Sequence, residues 1–127
     1  VLSVEAKQRQ PGTWEALTDN GREQTGVDVI QWVAEAEKRG IGEILITSVD
    51  MEGTQKGFDI ELVKAVRDNV SVPVIACGGA GNGAHIRALL EASHCDAVCC
   101  ASLFHYDRLP LPALKNELAA GGWEVRL

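Results

Sequence analysis

Four short runs of the chain are apolar at nearly every position and rich in β-branched residues: Val1 to Val4, Glu43 to Val49, Val72 to Ala76 and Ala97 to Ala101. Strict alternation of apolar and polar residues would mark strands with one wet face. Near-continuous apolarity marks strands covered on both faces, as in a parallel sheet. Between the runs the period changes. Val29, Ile30, Val33 and Ala36 recur at the spacing of one helix face, and Gly40 supplies a stop. Ile60, Val63 and Val66 repeat that spacing behind Asp59, whose carboxylate suits a helix N-cap, with Pro73 beyond the end. Ile86, Leu89 and Leu90 predict a shorter third helix. A fourth starts near Pro110 to Pro112, carries Leu114 and Leu118, and stops at Gly121-Gly122.

The order reads β-α-β-α-β-α-β-α without a low-complexity stretch or linker. One connection, Gln8 to Gly26, is long; Pro11-Gly12 and Asp19-Asn20-Gly21 punctuate it, so Thr13 to Thr18 is expected as a small excursion strand or hairpin. Four units in 127 residues is about 32 residues each, and eight such units would reach the roughly 250 residues of a (β/α)8 barrel. The predicted fold is therefore α/β: a (β/α)4 half-barrel, one half of a TIM barrel, with residues 1–127 as a single domain. Four parallel strands alone leave two open edges and an uncovered inner face. Pairing into a full barrel is expected, through a homodimer or a complementary half.

Composition narrows the partners. The chain is 46% hydrophobic and 24% charged, within the globular range, so a disordered or fibrous chain is excluded. Net charge is −6 with no basic block, so nucleic acid is not an expected partner. A phosphorylated small molecule stays open, because backbone N–H groups bind phosphate without net positive charge. No apolar run nears the roughly 18 residues of a membrane span, and no charged-then-apolar leader is present, so no membrane partner is expected. Cys77, Cys95, Cys99 and Cys100 form no C-x-x-C pair. They read as reduced thiols of a cytoplasmic protein, and their spacing with the histidines predicts no zinc site, other metal or cofactor. His85, His94 and His105, like Trp14, Trp32 and Trp123, read as surface or packing residues. The start at Val1 without Met suits a fragment of a longer reading frame.

In a (β/α)8 barrel the working residues sit at the C-terminal ends of the strands. Those ends here hold Glu5 and Lys7; Thr47, Ser48 and Asp50; Cys77-Gly78-Gly79; and Ala101-Ser102. After the second strand, Asp50-Met51-Glu52-Gly53-Thr54 forms a turn that Gly53 allows to be tight. After the third, Gly78-Gly79-Ala80-Gly81 lets backbone N–H groups approach an anion. After the fourth, Ala101-Ser102-Leu103-Phe104-His105 suits a short helix whose first N–H groups meet a ligand. A glycine-rich turn followed by a small residue and a helix start on the next unit is the pattern of the phosphate site after the last two barrel strands. Asp50 also fits a plain turn role, satisfying backbone N–H groups.

The strings Val-Glu-Ala-Lys (4–7), Gly-Glu-Ile-Leu-Ile-Thr-Ser-Val-Asp-Met-Glu-Gly-Thr (42–54), Gly57-Phe58-Asp59, Pro73 to Gly81, and Ala101-Ser102-Leu103-Phe104-His105, with the closing Val125-Arg126-Leu127, resemble the C-terminal half of the cyclase subunit of imidazole glycerol phosphate synthase. The related sugar isomerase of histidine biosynthesis shares the phosphate turns, but the GGAG and SLFH strings favour the cyclase. The resemblance spans essentially the whole chain. It implies a lyase that closes an imidazole ring with ammonia from a glutaminase subunit, acting on a ribulosyl-aminoimidazole-carboxamide substrate with a phosphate at each end. Products would be imidazole glycerol phosphate and aminoimidazole-carboxamide ribotide. Glu5 falls where the family's fifth-strand acid or base stands, commonly Asp. The partner carboxylate on the family's first strand has no counterpart here. The phosphate-binding positions map onto Gly53, Gly79, Ala101 and Ser102, flanked by Gly78. Glu52 stands where the family often has Asp, and Lys7, Thr47, Asp50 and Thr54 complete a substrate rim. Glu43, at the opposite strand end, matches a charged ring at the glutaminase interface or is an ordinary strand-start charge. The alternative is a half-barrel that self-assembles and binds phosphate without catalysis.

Overall fold

The computed structural model describes residues 1–126; Leu127, the last residue of the closing Val-Arg-Leu string, lies outside them. The chain runs β1 (Leu2–Gln10), β2 (Thr13–Thr18), β3 (Glu23–Asp28), α1 (Val29–Lys38), β4 (Ile44–Ser48), α2 (Ile60–Asn69), β5 (Val74–Cys77), α3 (Gly83–Ser93), β6 (Ala97–Cys99), α4 (Ser102–His105) and α5 (Leu111–Ala120). The sheet order is β3-β2-β1-β4-β5-β6. Strands β1, β4, β5 and β6 are mutually parallel, each joined to the next through a helix, which is a (β/α)4 half-barrel. Strands β2 and β3 form an antiparallel hairpin on the outer edge of β1.

This hairpin corrects two expectations. First, the opening strand does not end near Val4; it runs to Gln10, because β2 pairs with it from Glu5↔Leu17 to Gln10↔Thr13. Second, the outer edge of β1 is only partly open. The hairpin covers its upper half, leaving Leu2 to Val4 without an outer neighbour. The other edge, β6, is short and ends at Cys99, with Ala101 already in helical conformation ahead of α4. The third helix, expected to be shorter, is the longest at 11 residues.

Helix ends follow local chemistry. Asp28, Asp59 and Asn82 each accept a hydrogen bond from the N–H three residues on, satisfying a donor that the first helical turn leaves free. Asp59 also accepts from the indole Nε1 of buried Trp14 at 3.0 Å, so one carboxylate starts α2 and fastens the hairpin. Glu37 of α1 accepts from the N–H and hydroxyl of Ser71 and from Val72 N–H, tying α1 to the approach of β5. Those bonds, the Ser71 hydroxyl first, hold its carboxyl below the ordinary range.

One apolar cluster lies between the sheet and its helices. Val4, Ala6, Ile44, Ile46, Val74 and Ala76 contribute from the strands, and Val33, Leu62, Val66, Ile86 and Leu89 from the helices. Side chains alternate across a strand, so the intervening residues point to the opposite, helix-free face. Ladder register aligns them in two rows. Ser3, Leu45, Ile75 and Ala97 form the lower row, and Glu5, Thr47, Cys77 and Cys99 the upper one. In a complete barrel this face is the packed interior. Apolar grooves flank the parallel strands at both ends of the arc. One is lined by Leu2, Val4, Leu17, Val27 and Trp32, the other by Val98, Phe104, Leu118, Trp123 and Val125.

Candidate functional site

Three strand-to-helix connections meet above the upper row. Backbone contact, rather than side-chain packing, joins the first two. Gly57 N–H donates to Gly79 O at 2.9 Å, and a Cβ on Gly79 would sit 1.9 Å from Gly57 O. Gly79 has φ +101°, a conformation that side chains disfavour. Gly81 approaches Gln55 as closely: a Cβ there would lie 2.3 Å from Gln55 O. Arg108, beyond α4, reaches the side-chain oxygen of Gln55 and draws the third connection onto the same seam.

The seam borders a small concavity lined by Glu52, Gly53, Gly78, Gly79, Ala101 and Ser102, with Cys77, Cys99 and Cys100 on its wall. All five glycine, alanine and serine positions predicted to bind phosphate thus line one concavity. The N–H groups of Gly53, Gly79, Ala101 and Ser102 enter no backbone hydrogen bond among the described residues. Main-chain N–H groups left without backbone partners in a glycine-rich concavity favour an anion. Glu52 is the acidic group at this wall; a Cβ on Gly78 would lie 3.2 Å from its carboxylate. Beside an anion that charge is unfavourable, so its chemistry fits a hydroxyl or N–H donor on the ligand better than a phosphate oxygen.

The remaining predicted residues divide. Glu5 and Thr47 are direct neighbours in the upper row, half-buried on the open face. Lys7 and Asp50 stand just above them and engage each other, Lys7 Nζ donating to Asp50 Oδ1 at 2.8 Å while Gln8 N–H donates to Oδ2. Partial burial pushes the Asp50 carboxyl up, but the Lys7 ammonium and the Gln8 N–H outweigh it and hold it below the ordinary range. The turn role considered for Asp50 is therefore partly realised: it satisfies the N–H of Gln8. Thr54 lies outside the cavity lining, its hydroxyl donating to Met51 O and accepting from Lys56 N–H within the loop. Glu43 immediately precedes β4, exposed at the end of the sheet away from the cavity.

Sequence reasoning gave no site role to Gly57, Gln55, Cys99 or Cys100, although it placed Cys77 at a strand end and Gly81 in the glycine-rich turn. The crowding of Gly81 by Gln55 carries no sequence signal, since it depends on which backbone packs there. The cysteines were legible through strand alternation, once the register of β5 against β6 is known. His85 also departs from a plain surface role, because its Nδ1 accepts from Gly81 N–H. Among the described residues, no cluster of three or more His, Cys, Asp or Glu is arranged to hold a metal ion, and no helix is long and apolar enough to cross a membrane.

The chain is 44% identical to the imidazole glycerol phosphate synthase subunit HisF of Nostoc sp. over 131 aligned positions, covering 100% of this chain and 50% of that protein. It is 47% identical to the subunit of the same name from Streptomyces coelicolor, covering 99% of this chain and 50% of the relative. The Trichormus variabilis subunit is 44% identical, with 100% and 51% covered. The chain thus spans about half the length of the curated relatives it matches. A family model described as histidine biosynthesis protein matches residues 1–110. With that match covering most of its length, the chain belongs to the histidine biosynthesis protein family.

Proposed function

We propose that this chain is the C-terminal half of a cyclase subunit of imidazole glycerol phosphate synthase. It binds one phosphate of a doubly phosphorylated ribulosyl-aminoimidazole-carboxamide substrate and supplies one of two catalytic carboxylates. The observation that carries the reading is the placement of Glu5 and the amide-lined cavity at one end of one sheet, with Thr47 and Cys77 between them in the upper row. Identity to HisF subunits supports the family, and the order of the matching strings supports the C-terminal half.

In this reading the cavity amides anchor the phosphate, which fixes the sugar chain over the upper row. Glu5 then transfers a proton as general acid or base, in concert with a carboxylate from the first strand of the complementary half. Its extra methylene relative to Asp moves the carboxyl outward, and the Lys7–Asp50 pair stands beside it on the rim. The open face and the two apolar grooves are where the complementary half-barrel closes the cylinder. A glutaminase subunit would dock at the other end, near Glu43, and deliver ammonia through the barrel. No metal or organic cofactor enters this chemistry.

The test is complementation. Mixed with a separately produced N-terminal half of a HisF relative, ammonium and the doubly phosphorylated substrate, the chain should yield imidazole glycerol phosphate. Glu5→Gln should lower kcat by about 10²- to 10⁴-fold while leaving phosphate binding intact, because removal of a general acid or base costs that much. Absence of turnover with every complementing half would refute the catalytic reading. A second reading is motivated by Glu5 standing in place of the family's Asp: a half-barrel that self-assembles and holds phosphate without turnover. Phosphate binding by a homodimer, with no product under any complementation, would favour it.

A further inference from the structure

The upper row ends in two thiols. Cys77 closes β5, Cys99 closes β6, and the ladder places them directly opposite each other. Both lie on the helix-free face and both border the amide-lined cavity. Adjacent strands run about 4.8 Å apart, inside the roughly 4.4–6.8 Å between Cα atoms that a disulfide spans. The other cysteines are placed differently. Cys100, next in sequence, also borders the cavity but lies outside the β5–β6 ladder and lines the apolar groove with Leu90 and Phe104, and Cys95 is buried in the core. All four are free thiols in the structure.

We propose that Cys77 and Cys99 are a reversible dithiol–disulfide pair, with Cys99 as the attacking thiol and Cys77 as the resolving one. Exposure sets the order. Cys99 is solvent-exposed, whereas Cys77 is half-buried. Burial, and then the neighbouring Cys99, push the Cys77 thiol up to about 11, so it is the poorer initial nucleophile. With glutathione disulfide as oxidant, Cys99 attacks one glutathione sulfur and releases the other as glutathione, which takes the proton. Cys77 then loses its proton, attacks the Cys99 sulfur of the mixed disulfide, and releases the second glutathione. Two protein thiols are oxidised by two electrons, and one glutathione disulfide is reduced to two glutathiones.

The bond would pin the ends of β5 and β6 beneath Gly78-Gly79 and Ala101-Ser102, whose amides line the cavity. A consequence resting on the phosphate reading above is that oxidation weakens phosphate binding.

The full chain is oxidised with glutathione disulfide, remaining thiols are alkylated, and the product is digested with trypsin. Cleavage after Arg67, Arg87 and Arg108 leaves Cys77 in one peptide and Cys95, Cys99 and Cys100 in the next. The expected product is a monomer lighter by two hydrogens, with these peptides joined until dithiothreitol is added. The link should persist in Cys100→Ser and Cys95→Ser and vanish in Cys99→Ser. In Cys77→Ser, glutathione should accumulate on Cys99. A link that survives Cys99→Ser, joins two chains, or is replaced by stable glutathione adducts in the unsubstituted chain overturns the proposal. Titration with inorganic phosphate separates the two readings: reduced chain that binds no phosphate removes the phosphate site and leaves the disulfide result standing. If reduced chain binds, the oxidised form should bind at least fivefold more weakly, and equal binding would remove the coupling.

Discussion

Gly79→Ala should abolish measurable phosphate binding and destabilise the chain by about 2–4 kcal/mol, the backbone strain plus one lost hydrogen bond. The overlap is with backbone: the added methyl would lie 1.9 Å from Gly57 O and 2.8 Å from Gly57 C, and no rotamer relieves it. One of the two connections must retreat, breaking the Gly57–Gly79 hydrogen bond and moving the Gly53 and Gly79 amides apart. Gly12→Ala is the matched control. Gly12 also has positive φ, +75°, but nothing lies within 4 Å of its added Cβ. It should cost only the strain of about 1 kcal/mol or a little more and leave phosphate affinity unchanged. Chemical denaturation and calorimetry on both variants make the comparison. Equal phosphate affinity in Gly79→Ala and the unsubstituted chain would contradict the proposed site.

The second large effect is expected at Asp59, the N-cap of α2. Asp59→Ala removes the N-cap of α2, worth about 1 kcal/mol. It also strands the indole N–H of Trp14, which is 2% exposed, without its acceptor, at a further cost of about 1–3 kcal/mol. The combined loss is about 2–4 kcal/mol, and the hairpin should loosen with it. Asp59→Asn keeps one accepting oxygen and loses the other, so its cost should be about half. Trp14→Phe removes the stranded donor, and the double variant Trp14→Phe with Asp59→Ala should cost little more than the cap alone. Urea midpoints of the four proteins measure the coupling. Additive losses would show that the two residues do not cooperate.

How far the chain can be read without its structure depends on where each element draws its stability. The runs at Ile44–Ser48 and Val74–Cys77 were legible because barrel strands, with helices on one face and the packed interior on the other, need apolar residues at nearly every position. β3 was not. Glu-Gln-Thr-Gly-Val-Asp is exposed along almost its whole length and has no apolar face to announce it. It is a strand because β2 offers it a ladder and because Thr25 donates its hydroxyl to Ala16 O. The same partner lengthens β1 to Gln10, through Lys7-Gln8-Arg9-Gln10, which in isolation reads as loop. Pairing overrode local preference in both cases.

The site divides along the same line. Gly53, Gly78, Gly79, Ala101 and Ser102 were legible as cavity-lining positions because they are small residues at successive strand ends, and the spacing of the strands shows where those ends fall. Their convergence on one cavity follows the register. Gly81 was legible as a turn glycine, but the Gln55 backbone that crowds it was not, and Gly57, at φ +110°, was given no site role. Cys77 and Cys99 became neighbours only through the β5–β6 ladder, a relation that 21 intervening residues conceal.

The account stands on main-chain amides at one rim binding phosphate. A titration of the isotopically labelled chain with inorganic phosphate, followed through its backbone amide resonances, tests this most directly. Saturable shifts centred on Gly53, Gly79, Ala101 and Ser102 are the predicted result. Resonances at those four that stay fixed, while phosphate moves only signals around surface Lys and Arg residues, would contradict it.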